Sequence, residues 1–238
     1  MPRNHIVALL PMKGHSARIP GKNFKEFAGK PLFRWVLDTL LAVQEIDQVV
    51  INTDAVDTLR SYGIETDRVI LRERKPEICG DAVSMNRVLA DDVDHVPADI
   101  YLMTHTTNPL LTADTVRHGL ALFKKQHAAG ICDSLFSVNR FQTRFYSQDG
   151  DPVNHDPENL IPTQDLEPWY EENSNLYIFT QESFLETRAR IGRRPVLFET
   201  PRLESTDIDT PADWDLAEYI VRHRLAARDH DQRHHQDL

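Results

Sequence analysis

Short apolar runs alternate along this chain with stretches whose apolar residues recur at helical spacing. Ile6-Val-Ala-Leu-Leu10 is apolar without a break, as a strand covered on both faces requires. Pro31-Leu-Phe-Arg-Trp-Val-Leu-Asp-Thr-Leu-Leu41 repeats apolar positions three and four apart, with Pro31 suited to the first helical position. The alternation continues with a strand at Gln48–Thr53, a short helix at Val56–Tyr62 stopped by Gly63, and a strand at Val69–Leu71. A helix at Ser84–Val93, a strand at Ile100–Thr104, an amphipathic helix at Ala113–Gln126 and a strand-like Ser134–Val138 follow. Later come a strand at Asn175–Phe179, a helix at Gln181–Arg190 and a strand at Val196–Thr200. The last helix starts after Asp209, with Thr210 as its N-cap, Pro211 next and Trp214–Arg224 as its body. This pattern predicts an α/β fold, a mostly parallel sheet flanked by helices.

The pattern fails between about Asn139 and Asn173, where Pro152, Pro157, Pro162 and Pro168 stand among polar residues and scattered aromatics. The stretch is too long for an ordinary loop. It reads as an excursion from the sheet, with strands suited to pairing with another subunit. With no internal repeat or linker, residues 1–238 read as one domain carrying that insert. Residues 226–238 read as a polar tail, whose His230, His234 and His235 fit a solvated terminus better than a metal site.

Hydrophobic content of 40% and aromatic content of 8% fit a globular core. No run approaches the roughly 18 apolar residues of a membrane span, and the N-terminal residues show no signal-peptide pattern. Cys79 and Cys132 are far apart and lack metal-ligand spacing, as thiols of a reducing compartment would be, so a cytoplasmic protein is expected. The formal net charge of −10 excludes a general nucleic-acid binder but not a local cationic pocket.

Such a pocket is signalled at Leu9–Asn23. The loop leaves a strand, carries Gly14, Ser16, Pro20 and Gly21, and places Lys13, Arg18, Lys22 and then Lys25 with no acidic residue among them. Backbone N–H groups and lysine charges of this kind hold polyphosphates, although a basic surface loop has the same composition. The spacing matches neither GxxxxGK[ST] nor GxGxxG. Ligands of open α/β sheets sit beyond the carboxyl ends of the strands. Thr53-Asp54 and Asp207-Ile-Asp209 project to the same edge. In an extended segment both aspartates face one way and Ile208 the other. The pair then serves as hard oxygen ligands for Mg²⁺, or as a turn residue and a helix cap. His105, in Thr104-His-Thr-Thr-Asn-Pro109, reads as structural or as a site residue. Arg140, Arg144, Arg193 and Arg194 are candidates for meeting an anionic second substrate or for plain surface charge.

Together these segments resemble the acylneuraminate cytidylyltransferases, the CMP-sialic acid synthetase family. Pro11-Met-Lys-Gly-His-Ser-Ala-Arg-Ile-Pro-Gly-Lys-Asn23 and Gly29-Lys-Pro-Leu32 are similar to the family's opening P-A-R-G-G-S-K-G-I-P-x-K-N and G-K-P-L. Asn52-Thr-Asp54, Arg74-Lys-Pro-Glu77 through Gly80-Asp81 and Ser84, Thr107-Asn-Pro-Leu110, Thr163-Gln-Asp-Leu166 through Glu172-Asn173 and Tyr177, and Glu204-Ser-Thr-Asp-Ile-Asp-Thr210 follow in family order. The resemblance implies a Rossmann-like nucleotidyltransferase fold with a dimerisation excursion, hence a homodimer. It implies CTP and a small anionic acceptor as partners, Mg²⁺ as the metal, and attack of a sugar hydroxyl on the α-phosphate with release of pyrophosphate. Lys13, Lys22 and Asp209 are implied to be catalytic. Lys13, Gly14, Ser16, Lys22, Asn23, Arg74, Lys75 and Ser84 are implied to bind the nucleotide. His105, Gln164 and Tyr177 are implied to meet the acceptor, and Asp207 and Asp209 to hold the metal.

The departures fall mainly on the acceptor side. Lys13 stands for an Arg, turning a bidentate fork into a point charge. His15 and Ala17 stand for Gly and Lys, His105 for a Gln, and Leu111 and Thr163 for Arg residues. They point to an acceptor other than ordinary N-acetylneuraminic acid. Rival readings are a phosphonate or polyol phosphate acceptor, or an inactive nucleotide-binding homologue.

Overall fold

The computed structural model describes residues 3–236, with side chains described through residue 226. Its strands are β1 (Ile6–Leu9), β2 (Glu26–Phe27), β3 (Lys30–Pro31), β4 (Gln48–Thr53), β5 (Val69–Glu73), β6 (Ile100–Met103), β7 (Ser134–Phe141), β8 (Trp169–Thr180) and β9 (Pro195–Glu199). Its α-helices are α1 (Leu32–Leu41), α2 (Val56–Ser61), α3 (Met85–His95), α4 (Ala113–Ala128), α5 (Gln181–Thr187) and α6 (Pro211–Gln236). Single 3-10 turns lie at Pro76–Ile78 and Thr163–Asp165.

Seven strands form one sheet in the order β5-β4-β1-β6-β8-β7-β9. β5, β4, β1 and β6 are mutually parallel. β8 is the antiparallel exception, set between β6 and β7, and β9 runs parallel to β7. The unbroken apolar run of β1 now has its reason, because alternate residues serve two cores. Ile6, Ala8 and Leu10 meet α1, α2 and α4, whereas Val7 and Leu9 meet α3 and α5. A third cluster packs Trp214, Ala217 and Val221 of α6 on Phe27, Ala28 and Leu32, with Ile208 fully buried among them.

β2 and β3 pair as a small antiparallel ribbon that the periodicity does not signal, each strand being two residues long. Pro31 ends β3 and sits at the N-cap of α1 rather than inside the helix. The excursion is partly sheet. β7 reaches Phe141 and β8 starts at Trp169, with register Phe141↔Trp169 and a shift between Phe136 and Val138. In that bulge Ser174 takes a positive φ of 56°, and the Ser137 hydroxyl ties Asn173 and Leu176 at 2.6 and 2.7 Å. At the other end, α6 runs to Gln236, so helix backbone continues into the residues read as a polar tail. Its hydrophobic pattern ends before its backbone does, so periodicity stops short. The side chains of His230, His234 and His235 lie outside those described. The N-cap expectation for α6 holds: Thr210 N–H and Oγ1 reach Asp213 Oδ2 at 2.7 and 2.8 Å, and Asp213 N–H returns to Thr210 Oγ1 at 3.3 Å. Among the described residues no helix is long and apolar enough to cross a membrane.

Candidate active site

The loops after β1 and β6 meet the segment before α6 around a cleft of about 500 Å³. Its walls include Lys13, Ser16, Arg18, Lys22, Asn23, His105 and Asp209. Cations from the loop after β1 therefore face a carboxylate from the far end of the chain.

The loop is fixed from behind. Gly14 N–H donates to Asp54 Oδ1 at 2.6 Å, which draws its backbone close against Ala55. A Cβ on Gly14 would lie 2.7 Å from Ala55 Cβ, so the position requires glycine for space, not for φ. Asn23 is a buried brace: its amide donates to the Lys13 carbonyl at 2.7 Å and its Oδ1 accepts from Thr106 at 2.6 Å. The Arg74 guanidinium is buried and bonds the carbonyl of Met12 at 3.2 Å, the carbonyl of Asn52 at 2.7 Å and Asn52 Oδ1 at 2.9 Å. Asn52 in turn donates to the buried Asp92 at 2.8 Å, which Arg72 also holds. Burial carries the Asp92 carboxyl up to about 6.

Arg74 and Lys75, expected on the nucleotide side, are both engaged by the protein itself. Arg74 is turned inward as a clamp on the loop, and Lys75 pairs with Asp91 at 2.5 Å, so neither lines the cleft. Ser84 caps α3 with its backbone and stands exposed, while the next residue, Met85, is on the cleft wall.

The Asp pair adopts the alternation expected. Ile208 is buried and its N–H bonds the Thr107 carbonyl at 2.9 Å, which leaves Asp207 and Asp209 on the outer side. Asp209 is held by Arg18 at 2.8 Å, and the Lys22 ammonium approaches it at 3.8 Å while bonding the Ile208 carbonyl at 2.6 Å. Burial lowers the Lys22 pKa, against the pull of Asp209 and Asp207. Asp207 keeps an open edge to solvent, yet the protein crowded around it raises its pKa, helped by Asp209 and opposed by the Thr107 hydroxyl. Lys13 reaches the exposed Asp81 at 2.7 Å, and that bond holds the Asp81 carboxyl below its ordinary value.

On the same cleft wall, burial pushes the His105 imidazole down to about 4, with Arg190 and Lys22 adding to the effect. Tyr177 does not line the cleft. Its ring is buried, its hydroxyl bonds Glu172 and, at 3.2 Å, Ser174, and burial raises its pKa to about 12. Gln164 lies exposed on the excursion, away from the cleft walls, with its carbonyl accepting from Gln142 at 2.7 Å. The sequence marks Arg18 as a loop cation, and Asp81 and Glu172 stand in the motifs without a role of their own. Arg190 is not marked as a site residue at all and carries no local signal.

The family model described as Cytidylyltransferase matches residues 7–225. The N-acylneuraminate cytidylyltransferase of Oncorhynchus mykiss is 30% identical over 92% of this chain, which spans 51% of that relative. The chain therefore covers about half the length of that protein. The CMP-N,N'-diacetyllegionaminic acid synthase of Legionella pneumophila is 28% identical, over 91% of this chain and 96% of its own. Among solved structures, a CMP:2-keto-3-deoxy-manno-octonic acid synthetase complexed with CTP superimposes with a TM-score of 0.65 at 17% identity, over 92% of this chain and 99% of its own. That likeness is one of fold.

Proposed function

The chain belongs to the cytidylyltransferase family, and we propose that it transfers CMP from CTP to a hydroxyl of an acidic sugar. The observation that carries this reading is the single cleft in which Lys13, Arg18 and Lys22 face Asp209. Relatives named for acidic-sugar activation cover over nine-tenths of this chain and support the acceptor class.

The acceptor oxygen attacks the α-phosphorus, the bond to the bridging oxygen of the β-phosphate breaks, and pyrophosphate leaves. Phosphoryl-type transfer needs positioning and charge neutralisation more than covalent help from the protein. Lys13, Arg18 and Lys22 supply the neutralisation on the leaving side. These cations pair with carboxylates, Lys13 with Asp81, and Arg18 and Lys22 with Asp209. A triphosphate takes them over and releases Asp209. His105, with its pKa near 4, is too weak a base to take the hydroxyl proton efficiently and serves as a neutral hydrogen-bonding partner.

The donor set fits Mg²⁺. Among the described residues no three acidic, His or Cys side chains gather into a closed cage. Two carboxylates that crowd each other fit an ion that keeps waters and shares substrate phosphate oxygens. Asp207 and Asp209 would hold it, and it would lower the pKa of a coordinated hydroxyl. A second copy of the chain is the proposed cover for the excursion, where Tyr146, Leu160, Ile161, Trp169 and Tyr170 are exposed. Gln164 would then reach the partner's cleft rather than its own. The free thiols Cys79 and Cys132 support a cytoplasmic setting.

The test is pyrophosphate release with Mg²⁺ and each nucleoside triphosphate against N-acetylneuraminate, N,N'-diacetyllegionaminate and 3-deoxy-manno-octulosonate. CTP with an acidic sugar is the expected productive pair, and N-acetylneuraminate is expected not to be the best acceptor. Equal or faster turnover of N-acetylneuraminate overturns the acceptor assignment. No release from CTP with any acidic sugar overturns the function.

A further inference from the structure

We infer that Arg190 is the specificity residue that binds the carboxylate of the acceptor, within the same chain as the nucleotide grip. The inference rests on the acidic-sugar reading above and deepens it. It starts from how charge is distributed along the cleft. Lys13, Arg18 and Lys22 all come from the loop after β1 and line the cleft, where the proposed function assigns them to the triphosphate. An acidic acceptor needs a cation of its own. Arg190 is not on the cleft wall itself but stands on the Tyr177 ring, and Tyr177 pairs across the sheet with Met103, two residues before His105. Lys22 is held by the Ile208 carbonyl and Asp209.

Arg190 is placed for this by both of its neighbours in sequence and space. Its backbone N–H bonds Asn86 Oδ1 at 3.2 Å, next to the cleft-lining Met85. Ile191 and Met85 pack on the same apolar cluster, which includes Tyr177 and Phe179. The Arg190 guanidinium lies 3.9 Å above the centre of the Tyr177 ring. Stacking occupies a face of the guanidinium and leaves its N–H groups, which point outward in the plane, to choose partners. One of them meets Glu172 Oε1 at 3.2 Å, a long single bond, and among the described residues no other acceptor bonds the guanidinium. A preoriented fork with unused donors is the geometry that takes a carboxylate by two parallel hydrogen bonds. The bulge at Ser174 explains how the pieces meet, because it swings Glu172 back to the Tyr177 hydroxyl and to Arg190.

Neutrality at His105 belongs to the same design. A protonated imidazole would compete for the acceptor's charge and repel Arg190, whereas a neutral ring offers one donor and one acceptor to sugar hydroxyls. Glu172 holds the fork in the absence of substrate and yields it to the incoming carboxylate.

The experiment compares steady-state kinetics on the preferred acidic sugar and on its methyl ester, which keeps the shape and removes the charge. The wild type is expected to favour the acid, and Arg190→Gln to lower that preference about 10- to 100-fold, the range for hydrogen bonds to a charged group. KM for CTP is expected to stay within twofold. Arg190→Lys keeps the charge, loses the fork and is expected to fall between. It also serves if the Gln variant folds poorly. An unaltered acid-to-ester ratio in these variants, or a matching rise in KM for CTP, overturns the role of Arg190 while leaving the function intact. Failure of the wild type to release pyrophosphate with any acidic sugar overturns both.

Discussion

The two ends of the cleft are built by different means. The triphosphate end is cross-braced from three directions: Gly14 to Asp54, Asn23 to Thr106, and Arg74 to the Met12 carbonyl. Two of its braces, at Asn23 and Arg74, are buried, and its cations come from one contiguous loop. The proposed acceptor end draws on distant segments: His105 after β6 is on the cleft wall, and Glu172 and Tyr177 on β8 and Arg190 after α5 stand behind it. On the proposed function, the contrast sets a constant ligand, the triphosphate, against a locally braced loop, and a variable ligand against residues that no single segment dictates.

The sharpest way to break the contrast is to remove the carboxylate that opposes the cations. Asp209→Asn is expected to lower pyrophosphate release about a thousandfold with the fold intact, since electrostatic groups at such centres contribute on that scale. Unchanged release would remove the metal role of the pair. At the acceptor end, Tyr170→Asp places a charge on the exposed ribbon. It is expected to give a monomer by sedimentation and to cost about tenfold in acceptor kcat/KM, a loss of about 1.4 kcal/mol, without raising KM for CTP.

A smaller effect tests the loop's bracing. Gly14→Ala forces a Cβ to within 2.7 Å of Ala55 Cβ. Overpacking of that kind is expected to cost about 1–3 kcal/mol in thermal unfolding and to raise KM for CTP more than KM for the acceptor.

The remaining effect concerns pH. His105 titrates at about 4 in the folded chain against 6.5 as a free side chain. The unfolded chain therefore binds its proton first, and stability present above 6.5 is lost as the pH falls toward 4, by at most about 3 kcal/mol. Asp92, raised to about 6, has the opposite sign, favouring the folded state as the pH falls toward 3.8. The difference in urea midpoint between wild type and His105→Gln, at pH 7 and pH 5, isolates the histidine. A constant difference would show that the ring stays exposed to protons.

Much of the triphosphate end was legible because its signals are local. Apolar runs mark β1, β4 and β6, and the glycines and lysines of one loop mark the grip. The alternation of Asp207, Ile208 and Asp209 marks which residue turns to the core. The outward strand Trp169–Ser174 was missed because its residues are polar or exposed, and periodicity reads burial, not pairing. The inward turn of Arg74 was not legible, because a cation in a motif can serve a carbonyl as well as a ligand and sequence does not report burial. Arg190 carried no signal, since its partners Tyr177 and Glu172 belong to a different strand and meet it through a bulge.

The most direct measurement of the account is a paired kinetic comparison of Lys22→Met and His105→Gln, with CTP and the acidic acceptor each varied at saturating levels of the other. The account predicts a split: Lys22→Met damages kcat and KM for CTP and spares KM for the acceptor, while His105→Gln raises KM for the acceptor and spares KM for CTP. Both variants moving both constants by the same factor would contradict a cleft divided into a nucleotide end and an acceptor end.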